Sequence, residues 1–347
     1  MFITPIVPGR AGLESLATSS GLARRPSRFA DSFGRVARSY PAMGSGAITV
    51  PPPRDLAIAL HCSGSSARQW RALVEALEPA CRVLAVDLHG HGVQGPWPAE
   101  RSMTLADEAA LIEPLLAQAS HLAGRGARVH LVGHSYGGAV ALKVASQHPQ
   151  RLASVAVFEP VLFGLLREDP ASAAESRQAQ ELGRTMQLSL ADGHAARAAQ
   201  YFVDYWSGPG TWTRLPEARR ASMAAHVPAV AAQFTALYTE PVLSAASGAL
   251  GRIKAPMLVL TGEYTVASTQ RIGQRLRTLM PSAQHETLAG LGHMGPLTHT
   301  HTVNERFVSH VRAGGIALGP NLVPPPGRAP AAARRLVPSL HSQEALA

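Results

Sequence analysis

Short runs of consecutive apolar residues recur along the chain, and each is followed by a polar residue or a glycine. They occupy residues 56–60, 82–86, 129–132, 154–158 and 257–260. Runs of this kind are typical of strands that are buried on both faces, as in parallel sheets. A weaker strand pattern follows at residues 284–288. The apolar pattern therefore predicts a mostly parallel sheet.

Helical periodicity fills the gaps between these runs, at residues 68–78, 104–119, 137–147 and 268–279. In the first stretch, apolar side chains recur at the spacing i, i+3, i+4 and i+7, which places them on one face of a helix. These side chains are Trp70, Leu73, Val74 and Leu77. Strands that alternate with helices predict an α/β fold with a parallel sheet flanked by helices.

The alternation stops between residues 164 and 252, where the sequence has no strand pattern and many alanines in helical spacing. Two apolar helical faces can be traced there. They comprise Ala199, Phe202, Val203 and Trp206 on the first, and Val230, Phe234, Leu237 and Tyr238 on the second. We predict that residues 164–252 form a helical lid, inserted into an α/β core made of residues 55–163 and 253–312.

The two ends of the chain differ in composition from the middle. Residues 1–54 are rich in Gly, Ser, Arg and Pro, and residues 313–347 are rich in Ala and Pro. Neither end has the apolar periodicity of a packed core, so we predict a disordered extension and a disordered tail. Most of the formal net charge of +9 also lies in these ends, which together carry ten Arg against three acidic residues. The near-neutral middle therefore argues against a basic face that binds nucleic acid.

Cysteine content and hydropathy indicate the compartment. Two cysteines, Cys62 and Cys81, cannot build a disulfide framework in 347 residues, so we expect buried free thiols. No apolar run approaches the roughly 18 residues that cross a bilayer, and no membrane span is expected. The first 40 residues lack the apolar core of a secretory signal. We therefore expect a cytoplasmic protein.

The strongest candidate for chemistry is residues 133–138, Gly-His-Ser-Tyr-Gly-Gly, which follow a predicted strand and open a predicted helix. This is the context of a nucleophile elbow. Small residues at 133 and 137 allow a sharp turn, and the N-terminus of the following helix favours negative charge at the site. We therefore predict that Ser135 is a nucleophile.

A base and two hydrogen-bond donors can be assigned to the same site. A serine hydroxyl is a weak nucleophile until a base removes its proton, and His293, in the loop after the last predicted strand, is the candidate base. The small-residue turn after the first strand and the residue after the nucleophile can each aim a backbone N–H at a carbonyl oxygen. The predicted oxyanion donors are the N–H groups of Ser63 and Tyr136.

Two carboxylates compete for the role of the acid that orients His293. Glu159 ends the fourth predicted strand, and the carboxyl ends of parallel strands face one crevice. Pro160 disfavours helical geometry at the residue before it, so we expect Glu159 to stay extended. Glu263, which follows the fifth strand, is the alternative. We predict that the acid is Glu159.

Two short histidine pairs, His89 with His91 and His299 with His301, are the features that come nearest to a metal site. A metal site needs three or four ligands, and the sequence offers these pairs no partner cluster. We therefore expect neither a metal nor another cofactor.

In this order, these motifs resemble the α/β-hydrolase superfamily, specifically its lid-bearing serine hydrolases, which are esterase-like. The resemblance runs from about residue 55 to residue 311. It is carried by residues 61–64 with Trp70, by 87–92, by the elbow, by 261–263 and by 292–293. Two residues depart from the pattern, since Cys62 stands where Gly is usual and Thr265 stands where relatives commonly place an acidic Asp.

The resemblance implies hydrolysis of an ester or a similar small acyl substrate by Ser135, His293 and an acid. The same triad could serve acyl transfer, carbon–carbon hydrolysis or a perhydrolase reaction, and a chain without its acid could be a non-catalytic binding protein. Aromatic residues of the lid, chiefly Phe202, Trp206 and Phe234, are predicted to contact the substrate. A small molecule is the only partner predicted, and the oligomeric state is left open.

Overall fold

The computed structural model describes residues 55–78, 80–98 and 100–314 of the 347-residue chain. The predicted extension at residues 1–54 lies outside the described residues, as does the predicted tail except for Ala313 and Gly314. Within the described ranges, no helix is both long and apolar enough to cross a bilayer.

Within residues 55–314, as far as they are described, six strands form one sheet in which all neighbours run parallel, in the order β2-β1-β3-β4-β5-β6. The strands are β1 (Asp55–Leu60), β2 (Cys81–Val86), β3 (Arg128–His134), β4 (Ser154–Phe158), β5 (Met257–Gly262) and β6 (Gln284–Leu288). Each strand forms at a predicted run and extends it by at most two residues at either end. The predicted fold class, a parallel sheet flanked by helices, is confirmed.

Twelve α-helices accompany the sheet in the part of the chain that the structure describes. The first six are α1 (Arg71–Leu77), α2 (Leu105–Ala117), α3 (Ala119–Ala123), α4 (Tyr136–Gln147), α5 (Phe163–Arg167) and α6 (Ala173–Ala191). The others are α7 (Ala195–Ser207), α8 (Thr211–Arg214), α9 (Glu217–Thr239), α10 (Ala267–Leu279), α11 (Gly295–Thr298) and α12 (Thr300–Arg312). Helices α1, α2, α4 and α10 occupy the four predicted helical stretches.

Local sequence explains where α2 begins. The hydroxyl oxygen of Thr104 accepts a hydrogen bond from the Asp107 N–H, and the Asp107 carboxylate accepts one from the Thr104 N–H. This capping box satisfies two donors that a helix start leaves without intrahelical partners. The helix therefore begins directly after Thr104.

Helix α12 was not predicted from the sequence. Its buried residues Val303, Phe307 and Val311 recur every four positions, a spacing that marks one helical face. Val308 is the one further apolar residue among charged and polar neighbours, so the signal is weaker than in the predicted helices. Phe307 packs against Trp70 with ring centroids 5.9 Å apart, and α12 thereby covers one face of the sheet together with α1.

Alternate side chains of strands β1 to β5 belong to two separate cores, one on each face of the sheet. In β1, Leu56, Ile58 and Leu60 pack in the core beneath the helices of the first face, whereas Ala57 and Ala59 pack in the core beneath α1 and α12. This alternation follows from the two-residue period of a strand. Burial on both faces explains why the strands read as continuous apolar runs.

Residues 164–252, called here the inserted segment, lie between β4 and β5 and contain no strand. Both predicted apolar faces are packed inward. Phe202 and Trp206 of α7 and Val230 and Phe234 of α9 are all buried. The cores of the inserted segment and of the first sheet face form one continuous cluster, so these helices are packed onto the α/β core.

Candidate active site

The turn between β3 and α4 holds Ser135 in a strained backbone conformation. Its φ is +56° and its ψ is −116°, a region that L-residues rarely adopt. A side chain at Gly133 would collide with the backbone of Gly137 and Gly138, and one at Gly137 would collide with the backbone of β1. The glycines that flank the turn are therefore required by close backbone contact, and they leave Ser135 at the carboxyl edge of the sheet.

A continuous chain of hydrogen bonds joins the hydroxyl of Ser135 to His293 and Glu159. Ser135 Oγ lies 2.9 Å from His293 Nε2, and His293 Nδ1 lies 2.6 Å from Glu159 Oε2. A carboxylate only accepts, so His293 donates from Nδ1, and its Nε2 is left to accept the proton of Ser135. All three side chains are almost fully buried, at 5%, 3% and 3% exposed respectively.

The expectation that Glu159 stays extended is wrong. Its φ is +43°, in the left-handed region, although Pro160 follows it. The reason is a set of tertiary hydrogen bonds: the Glu159 N–H donates to the Leu260 carbonyl, and the Val161 N–H donates to the Ser135 carbonyl. The backbone must turn sharply between these two bonds, and that turn places the Glu159 carboxylate behind His293.

The loop after β5 supplies donors to both oxygens of Glu159. The Gly262 N–H donates to Oε1 over 2.7 Å, and the Thr265 hydroxyl donates to Oε2 over 2.6 Å. Thr265 is the residue that stands where the resemblance expects an acid. Its hydroxyl contacts the carboxylate that faces His293, a partnership that sequence reasoning missed because 106 positions separate the two residues.

The alternative acid, Glu263, lies apart from this chain. Its side chain is exposed, and its Oε2 accepts a hydrogen bond from the Gly290 N–H over 2.8 Å. Gly290 has a φ of +78° and stands three residues before His293. Glu263 therefore holds the loop that carries His293, and it makes no hydrogen bond to the imidazole.

The two predicted oxyanion donors lie on neighbouring strand ends, after β1 and β3. Around Ser63, the Cys62 N–H donates to Gln69 Oε1 and the Gly64 N–H donates to His91 Nε2, so neighbouring amides of this turn are used in fixing it. Tyr136 is the first residue of α4, where an amide has no partner within the helix. The assignment of these two amides as donors to a developing oxyanion stays a prediction.

His134 connects the three loops of the site. Gln69, which fixes the Cys62 amide, donates from Nε2 to His134 Nδ1 over 3.0 Å, and His134 Nε2 donates to the backbone carbonyl of His293 over 2.9 Å. Complete burial holds the pKa of His134 well below its ordinary value, so the ring is neutral and can accept and donate at once. Sequence analysis treated His134 only as part of the elbow motif.

Two further histidines fix the loops after β1 and β2. His61 Nε2 accepts a hydrogen bond from the Leu88 N–H, and His91 Nδ1 donates to the His89 carbonyl. Burial lowers the pKa of His61 to about 4 and that of His91 to about 3. These rings act as neutral hydrogen-bonding groups of the loops. Within the described ranges, no group of three or more potential ligands is placed to hold a metal.

The phenol of Tyr136 is part of a buried acidic contact that sequence analysis did not find. Its hydroxyl donates to Glu108 Oε1 over 3.1 Å, and the His89 N–H donates to Glu108 Oε2 over 3.1 Å. Burial raises the pKa of Glu108 to about 8. Glu108 thus links α2 to the first residue of α4 and to the loop after β2.

Aromatic side chains of the inserted segment lie directly over the hydrogen-bonded chain. The Trp206 ring stacks on the imidazole of His293, with centroids 4.0 Å apart and planes inclined by 24°. Phe234 contacts Phe163 and Phe202, and the edge of Phe202 approaches Gly64 in the turn after β1. Of the three predicted substrate contacts, Trp206 stacks on His293 of the hydrogen-bonded chain. Phe202 and Phe234 lie instead towards the turn after β1.

The fold combines a parallel sheet flanked by helices with a strained serine after β3, a histidine after β6 and an inserted helical segment. This combination is typical of α/β folds found in hydrolases. Residues 57–306 match the alpha/beta hydrolase family, and the chain belongs to that family. The resemblance stated from the motifs is therefore confirmed.

Relatives with described activities include several kinds of enzyme. The chain is 36% identical over 137 residues to the dihydrolipoyllysine-residue acetyltransferase component of the acetoin cleaving system of Cupriavidus necator. The match covers 40% of this chain and 33% of the relative, so this chain spans only about a third of the relative's length. It is also 25% identical over 256 residues to a putative carbamate hydrolase of Yersinia enterocolitica, covering 72% of this chain and 84% of that protein.

Solved structures share the fold at lower identity. A thermophilic esterase from Thermogutta terrifontis superposes with a TM-score of 0.60 and 20% identity, covering 76% of this chain and 92% of that one. The enol-lactonase from Burkholderia xenovorans LB400 superposes with a TM-score of 0.57 and 18% identity, covering 77% and 94%. At such identities, the likeness extends to the fold alone.

Proposed function

We propose that the protein is a serine hydrolase that cleaves a carboxylic ester or a similar small acyl substrate. The observation that carries the proposal is the buried chain from Ser135 Oγ through His293 to Glu159. The base His293 contacts the Ser135 hydroxyl, and the Glu159 carboxylate contacts the base. This arrangement activates a serine as a nucleophile.

The first half of the reaction acylates Ser135. Its Oγ attacks the substrate carbonyl carbon while His293 Nε2 takes the hydroxyl proton, and the Glu159 carboxylate stabilises the resulting imidazolium. The negative charge that develops on the carbonyl oxygen is stabilised by the N–H groups of Ser63 and Tyr136. His293 then gives its proton to the leaving alcohol as the bond between carbon and the leaving oxygen breaks.

The second half of the reaction releases the acid. A water molecule gives a proton to His293 and attacks the acyl carbon, and the tetrahedral intermediate collapses as Ser135 Oγ leaves and takes the proton back. An acceptor alcohol, thiol or peroxide in place of water would give acyl transfer or perhydrolysis from the same acyl-enzyme. Which acceptor takes the acyl group, water or another nucleophile, is to be determined by experiment.

A fluorophosphonate probe and a panel of esters with graded acyl chains test this proposal. We expect the probe to label the wild-type protein at Ser135, to leave Ser135→Ala unlabelled, and ester turnover to disappear in the same variant. Labelling without ester turnover would assign another acyl chemistry to the same serine. A wild-type protein that is folded but neither labelled nor active would overturn the proposal in favour of a non-catalytic binding protein.

A further inference from the structure

Gln233 of α9 is a buried amide that the proposed mechanism does not use. Its side chain is 0% exposed, and its Oε1 accepts a hydrogen bond from Ser63 Oγ over 2.6 Å. Its Nε2 is buried and has no hydrogen-bond partner among the described residues. An amide nitrogen carries two donors, and a buried donor without a partner is rare in a folded protein. The unpaired nitrogen belongs to the same amide group that contacts the turn carrying the Ser63 N–H.

The surroundings of Gln233 locate it on one side of Ser135. Helix α9 lies against the loops after β1 and β2. The contact is close, since side chains added at Gly64 and Gly90 would collide with Met223 and Ala229 of that helix. His226 of the same helix stacks on His91 with ring centroids 5.4 Å apart. Gln233, which contacts Ser63 Oγ from the same helix, therefore faces the turn after β1.

The strand order indicates which part of a substrate lies there. Strands β1 and β2 lie on one side of β3, whereas β4, β5 and β6 lie on the other. His293 follows β6, and it must reach the leaving group to protonate it. The leaving group is thus directed towards β4–β6, while the carbonyl oxygen and the acyl group extend towards β1, beneath α9.

We infer that Gln233 Nε2 donates a hydrogen bond to an acceptor oxygen on the acyl part of the substrate. The inference rests on the proposed function and narrows its substrate class. The favoured acyl groups carry a hydroxy, alkoxy or oxo oxygen next to the scissile carbonyl. An acyl group with a methylene at that point leaves the buried donor unpaired in the bound state, which penalises the wrong substrate.

Two esters of one phenol test this inference, because the methoxyacetyl and butyryl groups have the same chain length and differ by an oxygen in place of a methylene. The measured quantity is the ratio of kcat/KM for the methoxyacetyl ester to that for the butyryl ester. Gln233→Met keeps the side-chain length and removes the donor. We expect it to lower the ratio about 5- to 10-fold, the effect of one neutral hydrogen bond. Gln233→Leu provides a second donor-free side chain if the methionine variant fails to fold.

Ser63→Ala is the matched control, because it removes the partner of Gln233 Oε1 but keeps Nε2 and the backbone N–H of residue 63. We expect its absolute rates to change while its ratio stays close to that of the wild type. An unchanged ratio in Gln233→Met, or an equal fall in Ser63→Ala, would overturn the inference and limit Gln233 to fixing the turn. Fluorophosphonate labelling of the variants is read separately, since missing label in the folded wild type overturns the proposed function itself.

Discussion

At the scale of single residues, the carboxylate behind His293 is held more firmly than a surface acid could be. Both oxygens of Glu159 accept hydrogen bonds from the loop after β5, and Oε2 also faces His293 Nδ1. Donors that are already in place need no rearrangement when the imidazole becomes charged. Glu159 is therefore suited to stabilise an imidazolium.

The first prediction concerns this carboxylate. Glu159→Gln keeps the size of the side chain but removes its charge and can favour the wrong tautomer of His293, so we expect kcat to fall roughly 10³- to 10⁴-fold. Glu263→Gln is the matched control and should retain activity within about threefold, because Glu263 contacts Gly290 instead of the imidazole. Turnover of one activated ester decides between them. Full activity of Glu159→Gln would transfer the role to another group.

The second prediction concerns Thr265, whose hydroxyl lies 2.6 Å from Glu159 Oε2. Thr265→Val removes one hydrogen bond to a charged acceptor, and such bonds contribute about 1.5–3 kcal/mol. We expect kcat to fall about tenfold or more with little change in KM, since the loss affects the charged state of His293. Thr265→Ser should restore most of the rate. A valine variant with wild-type kcat would show that the threonine serves packing alone.

Ser135 and His293 can be recognised in the sequence because each stands in a local pattern of glycines that follows a predicted strand. The partners of Glu159 cannot be recognised in this way. Its left-handed backbone results from hydrogen bonds to β5 and to the elbow, and local sequence with Pro160 points to the opposite conformation. Contacts such as those of Gln69 with His134 likewise join residues 65 positions apart, and one sequence contains no sign of them.

At the scale of elements, a buried ion pair links the helix after the nucleophile to the inserted segment. Lys143 of α4 lies 2.8 Å from the carboxylate of Glu240, which directly follows α9, and both side chains are only 5% exposed. Glu240 also accepts a hydrogen bond from the Val242 N–H. The end of α9 is thereby tied to the helix that begins beside Ser135.

The third prediction follows from that pair. Glu240→Gln leaves the Lys143 ammonium buried without a counter-charge, and breaking such a pair destabilises a fold by about 3–5 kcal/mol. Replacing both residues, as Lys143→Met with Glu240→Leu, should leave the free energy of unfolding close to that of the wild type. Urea unfolding of the three proteins measures this. Equal losses in the single and double variants would mean that the pair stabilises the fold on balance.

The fourth prediction concerns α7, whose Trp206 ring covers His293. Under the proposed function, the alcohol of an ester would leave on the side of Ser135 where His293 lies, and this ring would limit the space for it. Trp206→Ala should therefore shift the preference among esters of graded alcohol size towards larger alcohols by about tenfold, the effect of roughly one methylene contact. Trp206→Phe keeps a stacked ring and should resemble the wild type. A uniform loss across the whole panel would indicate destabilisation instead of a change in access.

The apolar runs predict strands β1 to β5 because burial on both faces imposes a continuous pattern, whereas β6 buries only Leu288 and gives a weaker signal. Helices are predicted less evenly, since α12 buries only one narrow face and its four apolar residues are diluted by polar ones. The sequence indicates that residues 164–252 are helical, but which side chains face Ser135 depends on the packing of α7 and α9 onto the core. Their role as a lid stays a prediction that the esters of graded size address.

At the scale of the whole molecule, several ionisable groups are buried with pKa values that they do not have in water. Burial lowers the pKa of His61, His91, His130 and His134, to about 4, 3 and 4 for the first three. Burial has the opposite effect on an acid and raises the pKa of Glu108 from 4.5 to about 8. Unfolding releases all five groups to their ordinary values, so the stability of the fold must depend on pH.

The last prediction is a maximum of stability at about pH 7. A histidine with a lowered pKa contributes stability that is complete above its unfolded pKa of about 6.5 and is lost as the pH falls towards its folded value. Glu108 acts in the opposite sense, since its stabilisation is complete below pH 4.5 and is lost as the pH rises through about 8. In the shared window from pH 4.5 to 6.5, each group changes the free energy of unfolding by up to about 1.4 kcal/mol per pH unit, and four histidines outweigh one glutamate.

At pH 6.5 the four histidines of the unfolded chain are still half protonated and together outweigh Glu108, so the maximum falls at about pH 7. Above that pH the histidine contributions approach completion while that of Glu108 is still being lost, so the free energy of unfolding should fall between about pH 7 and pH 8.5. Urea unfolding at half-unit steps from pH 4.5 to 8.5 measures both limbs. Glu108→Gln keeps hydrogen-bonding groups for Tyr136 and His89 but cannot ionise, so this variant should lose the alkaline limb and keep the acid limb. An alkaline limb of unchanged slope in Glu108→Gln would show that Glu108 is not buried in the protonated form.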